Sequence, residues 1–177
     1  MAPELLAITP GDGRDLLPWL RALADAGLPG VLIREPRLDR DALASLAALP
    51  IPFVVLHTKN PHAASLGFAL HGPGRDGVSC HSEAEVASAL ETGATYALLS
   101  PVWKPTSKPD DTRPTLGLKR FLKVAATYDR VLALGGVDAT RYRRLRQHGA
   151  RAAVSGGLFG AKTPAAAAER LRQFLGD

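Results

Sequence analysis

The sequence predicts an α/β fold, a single compact TIM (β/α)8 barrel over residues 1–177, with the helix after the fourth strand reduced or missing. Three observations predict it. Short apolar runs alternate with amphipathic stretches from end to end, the pattern of a parallel sheet covered by helices. Eight such units recur at nearly even spacing, which favours a closed barrel over a doubly wound open sheet. The last two apolar runs each end in a glycine pair, Gly135-Gly136 and Gly156-Gly157. Uncovered backbone amides after the seventh and eighth strands are where such barrels bind phosphate.

The elements follow in order. Leu5–Ile8 reads as the first strand and 15–26 as its helix. Residues 30–34 form the second strand, with a helix over 39–48. Residues 52–57 are the third strand, followed by only a short helix near 61–66. Residues 68–71 are the fourth strand. The next segment, Gly72-Pro73-Gly74-Arg75-Asp76-Gly77, breaks helices and is too short to hold one. Residues 78–81 are the fifth strand. Ser82 with Glu85 makes a capping box that opens a helix to Glu91. Residues 95–99 are the sixth strand, and a long polar loop runs from Ser100 to Thr115. A helix over 116–127 leads to the seventh strand at 131–134. The eighth strand is Ala152-Ala153-Val154, and a final helix ends near Leu175.

At 177 residues the chain is short for a fold that usually takes roughly 250, so the barrel must be pared down. No run of eighteen apolar residues predicts a membrane span, and no basic segment precedes an apolar core at the N-terminus. Cys80 is the sole cysteine, which fits a reducing, cytoplasmic setting. The net charge of +5 suits an anionic small molecule. The arginines at 141, 143, 144 and 146 carry no nucleic-acid motif with them and read as a solvated helix face. No nucleic-acid or membrane partner is expected, and a homo-oligomer stays open.

In parallel α/β folds the C-terminal strand ends carry the site. Here they bear Arg34, His57, His71, His81, Ser100, Gly135 and Ser155. Arg34 can fork two donors onto a carboxylate or phosphate. Histidine can act as acid, base or metal ligand near neutral pH. No short metal-ligand spacing is present, so no metal site is predicted. The loop Trp103-Lys104-Pro105-Thr106-Ser107-Lys108 has the cations and hydroxyls of a lid over an anion.

These residues resemble thiamine phosphate synthase and its relative TenI, the thiazole tautomerase. Val31-Leu32-Ile33-Arg34-Glu35 is similar to the family's second-strand motif, and Val78-Ser79-Cys80-His81-Ser82 to its fifth. Gly93-Ala94-Thr95-Tyr96 resembles the entry to strand six. Ser100-Pro101-Val102 and Pro105-Thr106-Ser107-Lys108 resemble the loop after it. Leu134-Gly135-Gly136-Val137 and Val154-Ser155-Gly156-Gly157-Leu158 resemble the thiazole-phosphate cradle. The resemblance implies a (β/α)8 barrel acting in thiamine biosynthesis on a thiazole phosphate. It implies phosphate held by Gly135, Gly136, Val154, Ser155 and Gly156. It also implies a diphosphate contacted by Arg34, Ser79 and Lys108, with Thr106 in the same loop.

The chain departs from the synthase pattern where that enzyme has its metal carboxylates. His57-Thr58 stands in place of Asn-Asp, and Pro36 replaces a basic residue. These departures point to the TenI branch, a proton-shifting isomerase that needs no cofactor; Mg²⁺ is expected only for a synthase. TenI's acid–base histidine aligns with Pro101, which cannot move a proton. His57, then His81, are the expected replacements, with Arg34 completing the candidate catalytic set. The alternatives are the synthase itself, joining a pyrimidine diphosphate to the thiazole phosphate, and a non-catalytic regulator that binds thiazole or thiamine phosphates.

Overall fold

The computed structural model describes residues 2–105, 110 and 112–176. Eight parallel strands close in sequence order: β1 (Leu5–Ile8), β2 (Gly30–Ile33), β3 (Phe53–His57), β4 (Ala69–His71), β5 (Gly77–Cys80), β6 (Tyr96–Leu99), β7 (Val131–Ala133) and β8 (Arg151–Val154). β1 pairs with both β2 and β8, so the cylinder has no open edge. Followed once around, the pairing register slips by eight residues, the shear of a TIM barrel.

Alternation along each strand splits the apolar residues into two layers. Leu6, Ile8, Leu32, Val55, Tyr96, Leu98, Leu132 and Ala153 fill the barrel interior. Their neighbours in sequence, such as Leu5, Val31, Leu56, Ala97 and Ala152, face the helices. Those helices are α1 (Leu17–Asp25), α2 (Arg40–Ala47), α3 (Glu83–Glu91), α4 (Leu118–Thr127), α5 (Ala139–Gln147), α6 (Gly156–Phe159) and α7 (Pro164–Leu175).

Four of the helices start at side-chain caps that satisfy an orphan amide. Asp39 accepts from Ala42, Ser82 from Glu85, Asp138 from Arg141 and Thr163 from Ala166. Glu85 completes its box one residue early, because its Oε2 accepts from the His81 amide at 2.9 Å.

The segment between β4 and β5 is five residues, 72–76, and carries no helix. β4 and β5 meet at one pair, His71 with Gly77. β5 starts at Gly77 rather than Val78, because Gly77 pairs with both His71 and Tyr96. Leu70 and Val78, on the outward face here, stay half-buried. The second glycine pair is not a plain turn: Gly156 and Gly157 form the first turn of the one-turn helix α6. Such an extra helix after the eighth strand is a recurrent phosphate device in this fold.

Candidate phosphate-binding site

The glycine turns and the rim of β1, β2, β6, β7 and β8 enclose one cavity of about 700 Å³. Its floor is apolar, from Ile8, Leu134 and Ala153. Its walls hold Arg34, Ser100, Gly135, Gly136, Val154, Ser155 and Gly156, together with Asp12, Arg14 and Arg113. All five residues expected to hold phosphate therefore line the same space as Arg34.

The geometry of the first turn is set by what consumes its carbonyls. The Val102 amide donates to Leu134 O at 2.8 Å and the Trp103 amide to Gly135 O at 3.1 Å. Arg141 Nη1 donates to Gly136 O at 2.5 Å while its guanidinium lies over the Trp103 ring, 5.3 Å from the centroid. The amides of Gly135, Gly136, Ser155, Gly156 and Gly157 donate to no acceptor among the described residues. The five residues that bear these amides all line one cavity, a setting that suits an anion. Gly135 (φ +98°) and Gly136 (φ +64°) are left-handed, and a Cβ on Gly136 would lie 2.6 Å from Lys104 O. Only glycine fits there.

Arg34 reaches the cavity on a tether. Its Nη2 donates to Pro10 O at 3.0 Å, and its own amide donates to Thr9 Oγ1 at 2.8 Å. Glu35 turns away, its Oε1 accepting the Gly11 amide at 2.9 Å. Arg14 is engaged by Asp12 through Nε and Nη2, and its Nη1 donates to Phe159 O at 2.9 Å. The bond from Arg14 holds the Asp12 carboxyl below the usual carboxylate range.

His57, His81 and Ser79 do not line this cavity. His57 ends β3 on the interior face, with its ring 5.5 Å from that of His71. Its Nδ1 accepts the Lys59 amide at 3.1 Å, so in the neutral ring Nε2 holds the proton. Desolvation, then the charges of Lys59 and Arg34, keep it below the ordinary histidine value. His81 Nδ1 lies 2.9 Å from Ser100 O, which can only accept. Arg113 Nη1 lies 3.0 Å from the same nitrogen and 3.4 Å from Nε2. Thr106 and Lys108 lie outside the described residues. Cys80 is buried against the helices, and burial pushes its thiol up to about 11.

Sequence reasoning missed Asp12, Arg14 and Arg113 on the cavity wall. They sit in irregular loops with no periodic signal, although an arginine in a loop after strand one or six could have been weighed. It also missed Tyr96, whose ring occupies the barrel interior where Gly77 has no side chain.

Comparison with known proteins decides the family. A family model described as thiamine monophosphate synthase matches residues 69–157, half of the chain. The chain belongs to the thiamine monophosphate synthase family. It is 36% identical over 100 residues to the thiamine-phosphate synthase of Mycobacterium sp. (strain KMS), a match that takes in 56% of this chain and 44% of that protein. It is 31% identical over 167 residues to the thiamine-phosphate synthase of Roseiflexus sp. (strain RS-1), covering 92% of this chain and 65% of that one. The chain thus spans less than half of the Mycobacterium relative. A thiamine phosphate pyrophosphorylase structure from Pyrococcus furiosus superposes with a TM-score of 0.78 at 18% identity, covering 98% and 95% of the two chains, and shows the shared fold.

A Mg²⁺–pyrophosphate centre, which a synthase would need, takes oxygen donors, carboxylates above all. Among the described residues no three His, Cys, Asp or Glu side chains come together as a metal set. The strand-three positions are His57 and Thr58, and Asp12 is spent on Arg14. Asp76 precedes β5, and its Oδ2 accepts the Leu70 amide at 2.8 Å. These residues do not fit a Mg²⁺–pyrophosphate centre.

Proposed function

We propose that the protein binds a thiazole phosphate, with its phosphate on the amides of Gly135, Gly136, Ser155, Gly156 and Gly157, and acts as a thiamine-phosphate synthase. The observation that supports this reading most is that the residues bearing those amides, which donate to no other described residue, all line one cavity. The relatives named above favour the synthase over the tautomerase. So does the cavity wall: Pro101 stands where a proton carrier would be needed, and His57 and His81 lie off the lining.

In this reading Ile8, Leu134 and Ala153 take the flat face of the thiazole ring. Arg34, tethered at Pro10, faces the charge that develops on departing pyrophosphate.

A second reading is favoured by the missing carboxylates: a chain that binds thiazole phosphate without turning it over. One experiment separates the two. The protein is incubated with pyrimidine pyrophosphate and thiazole phosphate, with and without Mg²⁺, and product thiamine phosphate is measured. Thiazole phosphate binding is followed in parallel by calorimetry. Turnover supports the synthase, binding without turnover supports the second reading, and absence of binding overturns both.

A further inference from the structure

We infer that Tyr96 and His71 are positioning residues that fix the Ser79 hydroxyl as a hydrogen-bond donor at the barrel rim. The three side chains form one chain through the interior. Tyr96 Oη lies 2.9 Å from His71 Nδ1, and His71 Nε2 lies 2.9 Å from Ser79 Oγ. Tyr96 is fully buried and His71 is 2% exposed, whereas Ser79 is exposed.

The direction of the chain follows from its closed end. Burial raises the Tyr96 phenol above its ordinary value, so it keeps its proton. Among the described residues its hydroxyl meets no acceptor besides His71 Nδ1. If Nδ1 carried the imidazole proton, the Tyr96 O–H would be buried without an acceptor, the costly arrangement. Tyr96 therefore donates to Nδ1, and the neutral ring bears its proton on Nε2. Nε2–H donates to Ser79 Oγ. The Ser79 hydrogen then points away from His71, toward whatever sits at the open rim. The site can greet an oxyanion there and is set against a ligand donor.

Gly77 makes this arrangement possible. An added Cβ at Gly77 would overlap the Tyr96 ring, so the strand leaves a gap that the phenol fills. The oxyanion half of the inference rests on the proposed synthase reading; the tautomer half does not.

The test separates them. Long-range ¹H–¹⁵N correlation on the ligand-free, full chain near pH 7 reads the His71 tautomer. Nε2–H is expected, with loss of the fixed tautomer in Tyr96→Phe. An Nδ1–H signal in the unsubstituted protein overturns the relay whatever the ligand. Binding of inorganic pyrophosphate is then titrated by calorimetry. Tyr96→Phe and Ser79→Ala are each expected to weaken it about fivefold, the worth of one hydrogen bond, and the double variant no further than Ser79→Ala. Full affinity in Tyr96→Phe alongside a loss in Ser79→Ala overturns the coupling. Full affinity in both overturns the rim donor and leaves the tautomer result standing.

Discussion

Arg141 Nη1 donates to the carbonyl of Gly136 at 2.5 Å, while the same guanidinium covers the Trp103 ring. One side chain from α5 thereby ties the turn after β7 to the loop after β6. It touches the back of the phosphate cradle and leaves the front free. Arg141→Ala is expected to weaken inorganic phosphate binding about tenfold, because the Gly136–Val137 peptide loses the bond that holds the glycine turn in place. Its stability cost should be about 1 to 2 kcal/mol, from one charge-assisted bond and a half-exposed stack. Calorimetric titration and urea denaturation measure the two effects separately.

Gly136→Ala should be the harsher change. The left-handed backbone and the approach of Lys104 O act together. A loss of about 2 to 3 kcal/mol in urea denaturation is expected, with phosphate binding abolished. Wild-type stability in this variant would mean that the turn is not as tight as described.

His71 gives stability a pH dependence. Burial, then the neighbouring His57, push it down to about 4, whereas an unfolded histidine titrates near its ordinary 6.5. Between those values the unfolded chain binds the extra proton, so stability rises with pH. The contribution is complete above about pH 6.5 and is lost as pH falls toward 4. Denaturation at pH 7.5 and pH 5 should differ by about 2 kcal/mol from this group. His71→Asn should flatten that difference.

Chelation should leave phosphate binding untouched. The one carboxylate among the described residues of the cavity wall, Asp12, is committed to Arg14. Titrations of inorganic phosphate with excess EDTA and with Mg²⁺ should give the same Kd within error. A tenfold gain with Mg²⁺ would show that a metal set forms from residues not identified above.

Much of the barrel was legible because each strand is a short apolar run and one helix announces its cap. Leu5–Ile8 and the cap at Ser82 are local facts, written in a few residues. The glycine turns were legible for the same reason. The sides of the barrel mouth were not. Arg34, His57, His71 and His81 all read as rim residues, yet only Arg34 of these four lines the cavity. Which rim residues face one another depends on strand tilt and register around the whole circuit, which no local pattern encodes. The relay through Tyr96 was hidden for a different reason. A tyrosine in an apolar strand looks like packing, and only Gly77, two strand positions below Ser79 on the neighbouring strand, shows where its hydroxyl goes.

The helix that is absent between β4 and β5 leaves the cylinder with a seam. Outward-facing Leu70 and Val78 flank it and stay only half-buried. Partial opening below global unfolding should begin there, and amide hydrogen exchange should be fastest along that line. Phosphate, gripped across the mouth, would slow exchange at the late turns and leave the seam as it was.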